Sequence, residues 1–505
     1  MASDDEDREI GARTTSSPLI AEAPGGSEAP SAAWSLLLRD RVRRRVHGSD
    51  RYRWWVLWSV LSGMFAAGFS FTILAVSIPD IAADLGTNET SLTWVVSAPL
   101  LMFAVAMPIL GKAGDVYGHR RVYLTGLSTF VCFTALSAAA WNAPALIAIR
   151  TIAALEGAAT GPASMAIINR AFSAEDRVKA MGWFSLVGAG APVLGLIVGG
   201  VVIDAFGWRM LFLMQLPLAA FALVVNTVVL RETPRRERTP LDVRGALAVA
   251  TAAVATLLVL ERGRALGFTH PVVIAVSLAI PLGVIGFVFA ERRAVEPLIP
   301  LEFFRRRNFS APLVAQFFGN VAYMGGFIIS PLLMQHVFGY TVAGAALAMM
   351  WRPLSFSLCA PMAGYAATRV GERIAAVAGE SAVAGSLVLM ALGASQRSVV
   401  LVVLGLVVSG IGMGVASPSL QSSVANAVDE QHLGIAGASQ QMVFTVGASA
   451  GIQLLSVVLG GSRLADDFTT AYLVGAAMGV CAIVGALFVR SLPRQRAALE
   501  VVRAA

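Results

Sequence analysis

Between residues 54 and 490 the chain returns again and again to runs of about twenty residues that carry almost no charge. At about 1.5 Å per helical residue, such a run crosses the roughly 30 Å hydrocarbon core of a bilayer. Inside that core every backbone N–H and C=O must be bonded within its own segment, which leaves a chain of such runs only helices to fold into. The pattern predicts fourteen spans, at residues 54–79, 91–110, 122–141, 144–168, 180–203, 208–230, 243–262, 271–291, 309–336, 342–366, 374–394, 398–422, 434–459 and 469–490. A mean hydropathy of +0.72 with only 14% charged residues excludes a soluble multidomain protein. The expected fold class is an all-α polytopic membrane protein.

The net charge of +7 does not point to nucleic acid, because the basic residues are scattered over short loops instead of being interleaved with aromatics on one domain. They orient the chain. An even number of spans puts both termini on one side, and most of the 38 Lys and Arg fall on that side. The opposite loops hold only Arg209, Arg262, Arg264, Arg397 and Arg463. The basic side is therefore expected to be cytoplasmic, in a multi-pass protein of the plasma (inner) membrane with both termini inside. Residues 1–50, rich in Ala, Ser, Pro, Gly and acids, read as a disordered cytoplasmic tail without a signal peptide, and 493–505 as a second tail. Where the first tail meets the membrane, Arg51, Arg53, Tyr52, Trp54 and Trp55 suit anionic lipid headgroups, or are simply solvated.

Several kinds of chemistry are excluded. Cys132, Cys359 and Cys481 each sit alone in an apolar run, so neither a disulfide framework nor a metal site is expected. His47, His119, His270, His336 and His432 form no cluster with acids, and no enzyme activity is expected. Lys112 and Lys179 are the only lysines and neither lies in a phosphate-binding loop, so no nucleotide or other cofactor is expected.

The most informative polar segment is 111–121, Gly-Lys-Ala-Gly-Asp-Val-Tyr-Gly-His-Arg-Arg, a turn between two apolar runs. Gly111 and Gly118 permit close approach and reversal, and Asp115 is placed to accept hydrogen bonds from a helix terminus or a basic group. This turn resembles the loop between helices 2 and 3 of the major facilitator superfamily, with Gly111, Asp115, Gly118 and Arg120 in register and Ala113, Gly114, Val116 and His119 departing from it. The resemblance implies a conformational latch formed by those four residues. Residues 364–373 repeat the turn more weakly, as expected of a duplicated six-helix architecture.

Basic tracts at 231–244 and 291–307 divide the spans into six, two and six. That arrangement, with Trp94, Val95, Val96 and Ser97, with Trp208, Arg209 and Pro217, and with the stretch from Glu291 to Arg305, resembles the fourteen-helix EmrB/QacA-like branch of multidrug efflux transporters. The implied fold is two six-helix bundles, at 51–230 and 308–492, with two linker helices in 231–307. The implied function is export of small hydrophobic or amphiphilic substrates by alternating access, coupled to protons. Two departures bear on coupling: Ser70 stands where the family carries an Asp, and the antiporter Gly-Pro-x-x-Gly-Gly reads as Gly195, Leu196, Ile197, Val198, Gly199 and Gly200. They leave open a lipid translocator without standard proton antiport. A ligand-binding membrane sensor is the alternative of another class, though no loop is long enough for an output domain.

Charges at membrane depth are costly, so the few present are functional suspects. Arg150 matches a family arginine implicated in proton coupling, or makes a structural hydrogen bond to helix ends. Glu156 occupies a position the family fills with a small residue, and either carries the proton in place of Ser70 or is a hydrogen-bonded structural acid. Arg352 needs a carboxylate, carbonyls or an anionic substrate. Glu156 and Arg352 lie at comparable depths in different bundles, which suggests a pair that forms in one conformation and breaks in another. Glu380, nearer the cytoplasmic end, reads as structural. By analogy with the family, Gln316, Asn320, Tyr323, Met324 and Met413 are candidates to line the substrate cavity, where methionine and aromatic side chains re-pack around varied ligands.

Overall fold

The computed structural model describes residues 48–68, 78–87, 92, 94–232, 242–267, 269–294, 297, 299–460 and 464–491. Residues 1–47 of the first tail, the whole of the second, Ser70, and most of the basic tract at 231–244 lie outside the described residues.

Every regular element described is helical. The first bundle holds α1 (Tyr52–Gly68), the short α2 (Ile78–Asp84), α3 (Trp94–Tyr117), α4 (His119–Ala138), α5 (Ala143–Ala171), α6 (Arg177–Phe206) and α7 (Trp208–Val229). Next come α8 (Val243–Leu266) and α9 (Pro271–Arg293). The second bundle holds α10 (Arg307–His336), α11 (Val342–Met349), α12 (Trp351–Val370), α13 (Glu372–Ser395), α14 (Val399–Asn426), α15 (Leu433–Leu459) and α16 (Ala465–Leu487).

Among the described residues nine helices are long and apolar enough to cross a membrane: α4, α5, α7, α9, α10, α13, α14, α15 with the turn before it, and α16. The structure thus shows fewer crossings than the fourteen expected. Helices also occupy the remaining positions, with two departures. α1 is described only to Gly68, and the segment expected as one span at 342–366 is interrupted at Met350 between α11 and α12.

Helix ends follow local chemistry. The Asn142 side chain accepts from the Ala145 N–H at 2.8 Å to start α5, and Asp242 accepts from the Gly245 N–H at 2.9 Å to start α8. α4 and α13 both follow a single glycine, Gly118 (φ 98°) and Gly371 (φ 95°), in a backbone region that other residues rarely enter. Because only Gly118 breaks the helix, most of the polar segment expected as a turn is the last two turns of α3.

α3, α4 and α5 pack together, with α7 against α1 and α4; in the second bundle α13 packs on α14 and α16, and α10 on α15 and α16. The bundles meet along two seams, α3 with α15 and α6 with α12. Glycines set how closely each seam closes. A methyl added at Gly111 would sit 2.6 Å from the Ala438 Cβ, and one at Gly364 would sit 2.6 Å from the Val178 carbonyl oxygen. α8 and α9 pair with each other, and α8 alone touches α3 and α15. α9 is the most apolar of these nine helices, yet most of its surface is left uncovered by the rest of the described chain, which makes it a peripheral helix.

Candidate functional site

The seam between α3 and α15 closes on Asp115. Its position one turn from the end of α3 points the carboxylate at the first turn of α15, where helical N–H groups have no partner within their own helix. Asp115 accepts from the N–H of Gly434 at 3.0 Å and of Ile435 at 3.1 Å, and is 5% exposed. A negative charge at a helix N-terminus is favourable, more so when buried. His119 Nε2 lies 3.1 Å from Asp115 Oδ1 and walls the carboxylate from the other side. Gly434 is required by the same contact, since a Cβ there would lie 2.6 Å from the Gly111 oxygen and 2.9 Å from Asp115 Oδ1.

Of the four residues grouped by sequence, Gly111 and Asp115 reach across the seam, and Gly118 shapes the turn. Arg120 does not cross. It donates to the Thr227 carbonyl at 3.0 Å and to Glu232 at 3.0 Å, both at the end of α7 in its own bundle. The reason is direction: His119 at the start of α4 packs against the Gly434 end of α15, and the next side chain, Arg120, points away toward α7. Lys112 instead leaves the bundle, donating to the Pro297 carbonyl at 3.0 Å.

A second set of contacts lies across the other seam at the same end of the molecule. Arg177, at the start of α6, donates to the Asn169 carbonyl at 2.8 Å and to Asn426 Oδ1 at 2.8 Å. Asn426 in turn donates to the Ala174 carbonyl at 3.2 Å and to Glu372 Oε1 at 3.3 Å. Glu372 is held further by the hydroxyls of Ser422 at 2.7 Å and Ser423 at 3.3 Å. Sequence reasoning missed this network. Its signal was the repeated turn at 364–373, in which Glu372 takes the place of His119 while Thr368 takes that of Asp115.

At the opposite end, Asp84 closes the first bundle. It accepts from Trp208 Nε1 at 3.1 Å and from Arg209, which also donates to the Ala140 carbonyl at 3.1 Å. The Arg209 guanidinium, with the Trp208 indole, holds the Asp84 carboxyl below the usual carboxylate range.

The charged residues at depth occupy separate surroundings. Glu156 on α5 is 6% exposed and accepts from the Thr160 hydroxyl at 2.9 Å, with Arg150 and Tyr123 near enough to feel its charge. The Arg150 guanidinium lies 5.6 Å from the centre of the Phe212 ring. Arg352 on α12 is completely buried, 3.6 Å above the Tyr323 ring and 5.2 Å from Phe327, and it donates to the Tyr323 carbonyl. The expected approach of Glu156 to Arg352 is not made in this conformation: each is engaged inside its own bundle, and no ion pair joins them. Equal depth fixes height along the helix axis but not the direction in which a side chain points.

Gln316, Asn320, Tyr323 and Met413 are buried and Met324 half-buried. Asn320 donates back to the Gln316 carbonyl at 2.6 Å, and Gly447 of α15 packs over its Cβ, so this face of α10 is closed against α15. Gly195 is buried within α6, while the surroundings of Gly199 and Gly200 lie outside the described residues. Glu380, read from sequence as structural, is wholly buried on α13 with neither carboxyl oxygen hydrogen-bonded. Among the described residues no group of His, Cys, Asp and Glu is arranged to hold a metal ion.

Comparison with known proteins agrees with this architecture. The chain is 25% identical over 429 residues to the multidrug transporter protein MdtP of Bacillus subtilis, covering 84% of this chain and 79% of that one. It is 28% identical to the tetracenomycin C resistance and export protein of Streptomyces glaucescens, covering 82% and 77%. To the multidrug resistance protein Stp of Mycobacterium tuberculosis it is also 28% identical, covering 79% and 74%. The fold matches that of the human organic anion transporter MFSD10 with a TM-score of 0.61 at 18% identity, covering 86% of this chain and 99% of that one. It matches the proton:xylose symporter XylE with a TM-score of 0.61 at 13% identity, covering 86% and 94%. The chain is a transporter and not an enzyme. The profile described as Major Facilitator Superfamily matches residues 60–452 and again 313–504, and the chain belongs to that superfamily.

Proposed function

We propose that this chain is a secondary transporter that exports small hydrophobic or amphiphilic compounds by alternating access, driven by protons, in the fourteen-helix EmrB/QacA-like manner. The observation that carries the reading is the Asp115 contact with the Gly434 and Ile435 N–H groups, which ties the bundles together at one end only by bonds that a rocking motion can break. The names of the relatives, multidrug and antibiotic resistance proteins, support drug-like substrates.

On this reading all fourteen expected segments cross the membrane, with bundles at 51–230 and 308–492 and the linker helices of 231–307 at the periphery. The basic end is cytoplasmic in the plasma membrane, both tails extend from it, and the residues around Arg51 rest on lipid headgroups. The brace of Gly111, Asp115 and Gly118 then closes the cytoplasmic side and favours an outward-facing state, with Arg120 anchoring the turn to α7. Gly195, Gly199 and Gly200 let α6 slide against its neighbours. Gln316, Asn320, Tyr323, Met324 and Met413 become accessible to substrate as α10 and α15 part. Glu156, with Arg150 beside it, carries the proton that Ser70 cannot, and Arg352 holds the α12 break against α10.

The test is efflux of ethidium, a lipophilic cation, from reconstituted vesicles with imposed pH and potential gradients. Wild type accelerates efflux when the pH gradient is applied, and Glu156→Gln loses the acceleration while keeping its fold. Gradient-independent movement of labelled lipid without ethidium efflux would replace this reading with lipid translocation.

A further inference from the structure

α4 and α13 are corresponding helices of the two bundles, each launched by a glycine of nearly the same φ, 98° at Gly118 and 95° at Gly371. Counting from His119 and Glu372, the ninth residue is Leu127 in one and Glu380 in the other. Both are completely buried. Each packs over a glycine on the first helix of its bundle: the Leu127 Cδ1 lies 3.5 Å from a Cβ built at Gly63, and both Glu380 oxygens lie 2.6 Å from one built at Gly319. The scaffold is therefore content with an apolar residue at this place. In the first bundle the nearby polar group is satisfied, since the Tyr123 hydroxyl donates to the Val60 carbonyl at 3.0 Å. In the second bundle neither oxygen of Glu380 has a hydrogen bond.

Among the described residues no cation compensates the carboxyl. α14 contains no charged residue, Arg352 on α12 is held over Tyr323, and Arg307 on α10 donates to the Phe488 carbonyl. On α13 itself Glu372 is engaged by Ser422 and Ser423, and Asp466 and Asp467 sit in the first turn of α16. The Tyr472 hydroxyl of α16 is bonded to Ser330 at 2.9 Å. An unpaired carboxylate in such a place is costly, an outcome avoided by keeping the proton.

We propose that Glu380 is a proton-binding site of the second bundle, protonated in this conformation and passing its proton to water when α10 and α13 separate. Protonated, it is RCOOH packed on Gly319; on separation it becomes RCOO⁻ and the proton leaves as hydronium, with no other reactant. The site is independent of Glu156, and its use in coupling rests on the transport reading above.

The test combines infrared spectroscopy of the purified protein in lipid nanodiscs with ethidium efflux from vesicles. Glu380→Leu, which copies Leu127, is the folding control for Glu380→Gln. Both variants are expected to remove one component of the protonated-carboxyl C=O band, and Glu156→Gln to leave that component in place. An unchanged band in both variants would overturn the proposal. In vesicles, Glu380→Gln is expected to lower the pH-gradient-dependent part of efflux about tenfold while downhill equilibration persists; an unchanged gradient response would overturn the role in coupling. If wild type moves no ethidium, the export reading fails on its own, and the infrared band still decides whether Glu380 holds a proton.

Discussion

The Asp115 carboxylate and the Gly434 N–H, 319 residues apart in sequence, are joined by a 3.0 Å hydrogen bond across the seam between the two bundles. Hydrogen bonds to a charged acceptor are worth about 1.5–3 kcal/mol each, and Asp115 makes two to backbone N–H groups. Asp115→Asn retains one acceptor oxygen and loses the charge. We expect it to shift the equilibrium between the closed and open states of this seam by about tenfold, which corresponds to roughly 1.4 kcal/mol. Alkylation of a cysteine at Ser439, buried behind the brace on α15, should accelerate by a comparable factor. An unchanged alkylation rate in a folded variant would remove Asp115 from the latch.

The Arg177, Asn426 and Glu372 network should act as the partner brace on the other seam. Arg177→Ala removes the donor to Asn426 Oδ1 and to the Asn169 carbonyl, and leaving such buried acceptors unpaired costs about 1–3 kcal/mol. The melting temperature should fall, and Arg177→Ala combined with Glu372→Gln should be less destabilised than the sum of the single variants. Strict additivity would show that the two residues do not share a network.

Arg352→Lys keeps the charge but loses the planar stacking over Tyr323. We expect lower melting temperature and slower efflux, and Arg352→Met to be less harmful to stability than Arg352→Ala because it fills the space without a charge. A lysine variant indistinguishable from wild type would leave only the charge as the reason for the residue.

Asp84 predicts the sign of one pH effect. Its folded-state pKa is lowered by Arg209 and Trp208, so the stabilisation it provides is fully present above the unfolded value of about 3.9 and is lost as pH falls through the lower folded value. The difference in melting temperature between wild type and Asp84→Asn should therefore be constant at neutral pH and shrink as pH falls below about 4. A difference that grows on acidification would contradict the assignment.

Hydropathy made the helices legible because apolar length is the property a bilayer responds to. The interruption at Met350 has its mark in Pro353, which has no N–H to bond the Met349 carbonyl and whose ring crowds it. Asp115 was legible because its side chain carries the chemistry, whereas its partners are backbone N–H groups that any residue could present; only the small residues Gly434, Gly437 and Ala438 hinted at a close seam. Arg352 was recognisable as a buried charge, but its partner is the Tyr323 carbonyl and ring, and depth alone pointed instead to Glu156. Glu380 and its height could be read from sequence, while its lack of a hydrogen-bond partner among the described residues depends on the direction of neighbouring helices.

The most direct test of alternating access is the distance between spin labels at Tyr117 and Val370, exposed positions at the C-terminal ends of α3 and α12 in different bundles. The account predicts two distance populations in vesicles, with the longer one gaining weight in Asp115→Asn and changing with an imposed pH gradient. A single distance that neither the substitution nor the gradient alters, in protein that still moves ethidium, would contradict it.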